Sequence, residues 1–325
     1  MMEIYVLSSD LKFNIFLDIL VVLIIATGHL VKIVIFKVKT KVWLDIFDQL
    51  KSPCFNDYPE EFEYNNRRHV NFSKNFGNLF QFSCCWSTGM MIFQPLFSNV
   101  DLPMNCSFVT EPFIPYMYAG QVMFILLCAF SHSSIDVLIT DLIGIIVGQL
   151  DVLGEKIKAY DTNKTKEKID LKQCVQHHVE IIKFVNNLRQ ATSVIILIEY
   201  VKSALVVCFL GVQAVHIDPM SLTFLKMPVY LIVMLFQLLI YCFFANKIID
   251  KTQEIGDACY FSMWYSYKNT CDKRSLILIM ERSKRPLYLT AGKIYVVSLQ
   301  SFTDVLNSSY TYFTLMQSLY GKNYN

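Results

Sequence analysis

Charge is scarce in this chain. Only 17% of its 325 residues are Asp, Glu, Lys or Arg, against 54% hydrophobic, a balance that excludes an ordinary soluble protein of this length. The net charge of +2 is too small to point to nucleic acid or any strongly anionic partner. The ten cysteines include no CxxC pair and mostly sit in apolar runs, so they read as small core residues and not as a metal or disulfide framework. No Ser/His/Asp set, metal-ligand spacing or glycine-rich phosphate loop occurs, which leaves an enzyme, a bound metal and a cofactor without support. Internal repeats and low-complexity tracts are also missing. Residues 1–11 lack the basic region, short apolar stretch and small-residue site of a cleavable signal.

What the chain does have is long apolar runs. A helix needs about 20 such residues to cross the hydrocarbon core. Residues 76–97, 113–135 and 227–246 are free of Asp, Glu, Lys and Arg. Three further runs carry isolated charges: 13–36 with Asp18, His29 and Lys32, 190–215 with Glu199 and Lys202, and 294–319 with Asp304. At about 3 kcal/mol per central charge, the surrounding Leu, Ile, Val and Phe offset one ion. Six spans follow, and the predicted fold is an all-α polytopic membrane helix bundle in a single membrane domain.

The apolar periodicity outruns the bilayer, continuing with charges mixed in through residues 136–189 and 247–293. Helices extended in this way past one face of the membrane pack against each other in water. Polar breaks are expected at 37–74, 160–170 and 269–293.

Basic residues set the orientation. Residues 37–68 hold six, 156–172 hold six and 247–293 hold nine, whereas 98–114 hold none and 214–228 hold only Lys226. The basic loops are therefore predicted to be cytoplasmic and both termini external. Asn105-Cys106-Ser107 lies in an outer loop and is a candidate glycosylation acceptor; the triplets at Asn71, Asn163 and Asn307 fall on cytoplasmic or embedded positions, where they are silent. An external N-terminus without a signal is most simply read as a missing upstream span. One more helix gives seven spans with the N-terminus inside, the reverse of a G-protein-coupled receptor.

The last third of the chain carries Tyr241-Cys242-Phe243-Phe244-Ala245-Asn246, then Gly256-Asp257-Ala258-Cys259-Tyr260 and Trp264, and closes on Ser301-Phe302-Thr303-Asp304-Val305-Leu306-Asn307-Ser308-Ser309-Tyr310-Thr311-Tyr312-Phe313-Thr314-Leu315. In this order, beside the inverted topology, these segments resemble the insect odorant receptors, covering essentially the whole chain except that family's first span. The resemblance implies an odour-specific subunit of an odorant-gated, non-selective cation channel. It implies a small volatile odorant as ligand, the co-receptor as partner in a hetero-tetramer, and the plasma membrane of olfactory sensory neurons as location. It also implies that the cytoplasmic extensions form an anchor through which subunits associate. Gustatory receptors of the same superfamily carry Thr-Tyr, five apolar residues and Gln-Phe in the last span. Here four residues separate Thr311-Tyr312 from Gln317-Ser318, which disfavours that alternative and also the co-receptor itself. A multi-pass transporter would be expected to show repeats or paired broken helices.

Asp304, Ser308, Tyr312, Leu315 and Leu319 recur at helical spacing, so one face of the last helix presents them all. This is either a packing stripe or a pore wall, where leucine rings close by dewetting and an acidic ring favours cations. The family's hydrophobic gate positions fall on Leu315 and Leu319. In the outer halves of the spans, Met90, Met91, Phe93, Tyr116, Tyr118, Met123, Phe124, Tyr230 and Met234 make a candidate odorant pocket, because aromatic and thioether side chains form adaptable apolar walls; ordinary core packing is the alternative. Glu199 and Lys202 are expected to pair with each other. His177 and His178 are expected to be solvated, and His29, His132 and His216 isolated.

Overall fold

In hydrocarbon the peptide groups of a segment must be satisfied within it, so apolar runs become helices. The computed structural model describes residues 2–56, 60–97, 102, 112–160, 171–216, 222–262, 264–266 and 270–321. They form α1 (Met2–Val38), α2 (Thr40–Leu50), α3 (Pro53–Asn56), α4 (Glu60–Phe97), α5 (Ile114–Ala159), α6 (Leu171–His216) and α7 (Leu222–Phe261). A short turn (Trp264–Ser266), α8 (Thr270–Ser283), a hairpin of β1 (Thr290–Ala291) and β2 (Tyr295–Val296), and α9 (Leu299–Gly321) complete the chain. Among the described residues, four helices contain stretches apolar and long enough to cross a membrane, within Ile19–Val38, Ile114–Ala159, Leu171–Gln213 and Met227–Phe261.

α5 and α6 each run 46 residues, or roughly 69 Å at ~1.5 Å per residue, about twice the ~30 Å hydrocarbon core. Their far halves carry the main core. Ile139, Ile143, Ile146, Leu150 and Leu153 of α5 meet Ile181, Phe184 and Leu188 of α6 and Phe244, Ile248 and Ile255 of α7, closed by Trp43, Phe55 and Leu276. A smaller cluster lies toward the other end of the bundle: Val21, Val206, Leu210, Met227 and Met234, with Tyr230 packed against it.

α4 runs closely along α5 because Gly144 and Gly148, one turn apart, leave room for it. A Cβ on Gly144 would strike Ser73, and one on Gly148 would strike Asn66. Small residues four apart are a general means of bringing membrane helices into close contact.

Two expectations change in detail. Residues 37–74, read as a polar break, are mostly helical: α2, α3 and the first part of α4. α2 shows why, for Trp43 and Ile46 are buried on one face while charged residues occupy the other. The last helix begins at Leu299, not near 294, because residues 290–296 form the hairpin. Its tip is fixed on α6: the Gly292 and Lys293 N–H groups donate to the Ser193 carbonyl (2.8 Å) and Oγ (3.1 Å). Gly292 has φ +61° and faces Leu197 so closely that a Cβ would come within 2.5 Å, so any larger side chain is excluded on two counts.

Candidate functional site

The charges that cost most in the apolar runs meet in one buried layer. Lys32 of α1 donates to Asp136 of α5 and to Glu199 of α6 (3.2 Å), and Lys202 pairs with Glu199 one turn away. All four side chains are at most 3% exposed. Gln237 of α7 donates to Asp136 at 2.7 Å, and the Tyr241 hydroxyl donates to the same carboxylate. Two ammonium groups thus face two carboxylates, so the layer is formally neutral, which is the condition for keeping buried ions at tolerable cost. Gly28 belongs to the arrangement, since a Cβ there would crowd Lys202 Cδ at 3.3 Å. The pairing expected between Glu199 and Lys202 is present, but as one part of a network joining four helices.

His29 and His132 are not isolated. Ser131 Oγ lies 3.1 Å from His29 Nε2, Gln237 Nε2 lies 3.2 Å from His132 Nε2, and the two rings meet edge to face. His132, Asp136 and Glu199 bring ligand-type atoms within 4.8 Å of one another. A cation there would face Lys32 and Lys202 already seated on both carboxylates, so the arrangement favours internal pairing over metal binding. A crevice beside the layer, lined by Gly77, Phe80, Asp136, Gln237 and Tyr241, has no room for a water molecule.

A second junction lies at the foot of α9. Ser298 and Ser301 cap the helix reciprocally: the Ser298 N–H donates to Ser301 Oγ (2.9 Å), and the Ser301 N–H donates to Ser298 Oγ (3.3 Å). The Tyr200 hydroxyl of α6 lies 3.0 Å from Ser301 Oγ and 3.0 Å from Cys242 Sγ of α7. Higher up, Phe313 packs against Gly211 of α6, where a Cβ would come within 2.6 Å of its ring.

Beside this packed face, α9 is uncovered. Asp304 and Ser308 are exposed, and Tyr312 and Leu315 are 57% and 54% exposed; the side chain of Leu319 lies outside the described set. The hydroxyls of this helix bond back to its own carbonyls, as from Ser308 to Asp304 and from Ser309 to Val305, both 2.8 Å. Such bonds let a hydroxyl-rich segment remain helical.

The nine pocket candidates separate into groups. Met234 is buried and Tyr230 half-buried in the smaller apolar cluster. The Tyr118 hydroxyl donates to the Ile92 carbonyl at 3.1 Å, which brings α5 beside Met91. Met90, Phe93, Tyr116, Met123 and Phe124 are exposed on the single chain. Asn105 lies outside the described residues.

Toward the other end, His177 and His178 are 2% and 4% exposed, not solvated as their polar surroundings in sequence implied. Burial pushes His177 down to about 3 and His178 down to about 4, with smaller contributions from neighbouring positive charge. His177 Nε2 lies 2.9 Å from Gln149 Oε1, and Gln149 donates to the Phe55 carbonyl at 3.1 Å. Burial would raise the Asp151 carboxyl, but bonds to His69 of α4 (3.2 Å) and Lys251 of α7 (2.8 Å) hold it down at about 2.

The sequence model of the 7tm odorant receptor family matches residues 12–310. The chain belongs to that family. Odorant receptor Or2 of Anopheles gambiae is 30% identical over 151 residues, 46% of this chain and 39% of that one. Odorant receptor 67a of Drosophila melanogaster is 29% identical, over 51% of this chain and 40% of its own. The odorant receptor coreceptor of Aedes aegypti is 24% identical over 46% of this chain and 31% of that protein. The matched stretches span less than half the length of each of these relatives. Among solved structures, olfactory receptor OR5 of Machilis hrabei in complex with eugenol superposes with a TM-score of 0.77 at 18% identity, over 91% of this chain and 80% of that one. This chain is therefore a multi-pass membrane helix bundle of the odorant receptor fold.

The residues of the ionic layer and of the α9 foot were not singled out as sites from sequence. One signal was available: Lys32, Glu199 and Lys202 lie within apolar runs and Asp136 directly after one, and their charges sum to zero.

Proposed function

We propose that this receptor is an odour-specific subunit of a ligand-gated, non-selective cation channel, acting with the odorant receptor co-receptor in a hetero-tetramer in the plasma membrane of olfactory sensory neurons, its C-terminus extracellular. One observation carries the reading. α9 packs on α6 through Phe313 but leaves Asp304, Ser308, Tyr312 and Leu315 uncovered. A face that mixes an acid, a hydroxyl and large apolar groups suits neither lipid nor a dry helix contact; copies arranged around an axis would turn it into rings lining a water path. Family membership and the coreceptor among its relatives support the same reading.

The odorant is proposed to bind in the outer half, where Met234 and Tyr230 join the smaller apolar cluster. Small volatile molecules would be held there by shape. Cells expressing the chain with and without the co-receptor, patch-clamped during presentation of a volatile panel, test the proposal. An odour-evoked cation current that requires both subunits is expected; current that needs a G protein and not the co-receptor overturns it.

A further inference from the structure

Glu199 and Tyr200 are consecutive on α6, and Tyr241 and Cys242 are consecutive on α7. In each pair the first residue enters the ionic layer, Glu199 through Lys32 and Lys202 and Tyr241 through Asp136. The second residue of each pair meets at the foot of α9, where Tyr200 Oη touches both Cys242 Sγ and Ser301 Oγ at 3.0 Å. Neighbouring residues on a helix point about 100° apart and turn together. A rotation of α6 or α7 that disturbs the ionic layer therefore also moves the groups holding α9.

Counting hydrogens gives the second junction a direction. Ser301 Oγ–H donates to the Ser298 carbonyl at 2.8 Å, so its oxygen is left to accept. Tyr200 then donates to Ser301, and the Cys242 thiol donates to the Tyr200 oxygen. Ser301 Oγ also accepts the Ser298 N–H that caps α9. Donor-to-acceptor distances for such bonds span only about 0.5 Å, so a helix shift of under 1 Å makes or breaks the contact.

We propose that Tyr200 is a positioning residue for the last helix, linking the arrangement of the buried ionic layer to the seat of α9 through its bond to Ser301. The consequence for gating rests on the channel reading above; the consequence for the placement of α9 does not.

The experiment therefore reads α9 directly. Ser308, on the uncovered face, is replaced in the Ser308→Cys variant, and its labelling by a membrane-impermeant biotin methanethiosulfonate is followed on intact cells, with the parent chain subtracted to remove native thiols such as the exposed Cys85 and Cys271. Tyr200→Phe, which removes only the hydroxyl, and Ser301→Ala are each added. Each is expected to change the labelling rate roughly three- to tenfold, the range of one hydrogen bond, and the two together no more than either alone, at matched surface levels. Rates unchanged by both variants, or effects that simply add, overturn the proposal. Whole-cell current in cells carrying the co-receptor separates the two readings: if the parent passes none, at rest or with any of the volatile panel, the channel reading fails while labelling still decides the role of Tyr200.

Discussion

Lys32 of α1 and Asp136 of α5, 104 residues apart in sequence, form an ion pair from which solvent is excluded. Breaking such a pair from one side costs about 3–5 kcal/mol, because the remaining charge stays buried without its partner. Asp136→Asn is therefore expected to reduce folded receptor severely, and Lys32→Met to do the same through the carboxylates it leaves. The double variant Lys32→Met/Asp136→Leu should recover more folded protein than either single change, measured by size-exclusion chromatography of detergent-solubilised fluorescent fusions. A double variant as poor as the worse single would refute charge balance as the reason the layer exists.

The close approach of α4 and α5 makes its own prediction. Gly144→Ala places a methyl group against the Ser73 side chain, and overpacking of this kind costs about 1–3 kcal/mol. The melting temperature of the solubilised receptor should fall. Adding Ser73→Gly removes the obstructing atoms and should restore part of the loss; no rescue would show that the two helices are not limited by this contact.

Acidification should destabilise the end of the bundle that holds His177 and His178. Both are held neutral, at about 3 and about 4 against an ordinary value of 6.5. The unfolded chain therefore binds more protons below pH 6.5, so the stability these groups contribute is complete above that value and is lost as pH falls toward their folded values. Each costs roughly 1.4 kcal/mol at one pH unit below 6.5. His177→Gln/His178→Gln should flatten the pH dependence of the melting temperature between 7 and 5. An identical slope in the double variant would assign the dependence to other groups.

On the uncovered face of α9, proposed above to line the pore, Asp304→Asn is expected to lower the preference for cations or the conductance of the co-expressed channel, through loss of the proposed acidic ring. Leu315→Ala should raise resting current by widening the apolar constriction. Recordings indistinguishable from the parent for both variants would remove this face from the pore.

The chain's own order of residues sufficed for the helical membrane architecture and the family resemblance, because both are local properties. Hydropathy sums along a segment, and the motifs around Tyr241 and Thr311 are contiguous. The stripe through Asp304, Ser308 and Tyr312 was legible for the same reason, since helical periodicity alone places them on one face. His177 and His178 were misread because a polar neighbourhood in sequence does not reveal which faces of a long helix its neighbours cover.

Tertiary structure alone decided which charges meet. Lys32, Asp136, Glu199 and Lys202 each register locally as a penalty, and only the relative height of α1, α5 and α6 turns four penalties into a neutral cluster. The same holds for Tyr200, Cys242 and Ser301. Side-chain pairing between helices depends on axial offset and rotation, quantities set by packing over the whole bundle and absent from any single segment.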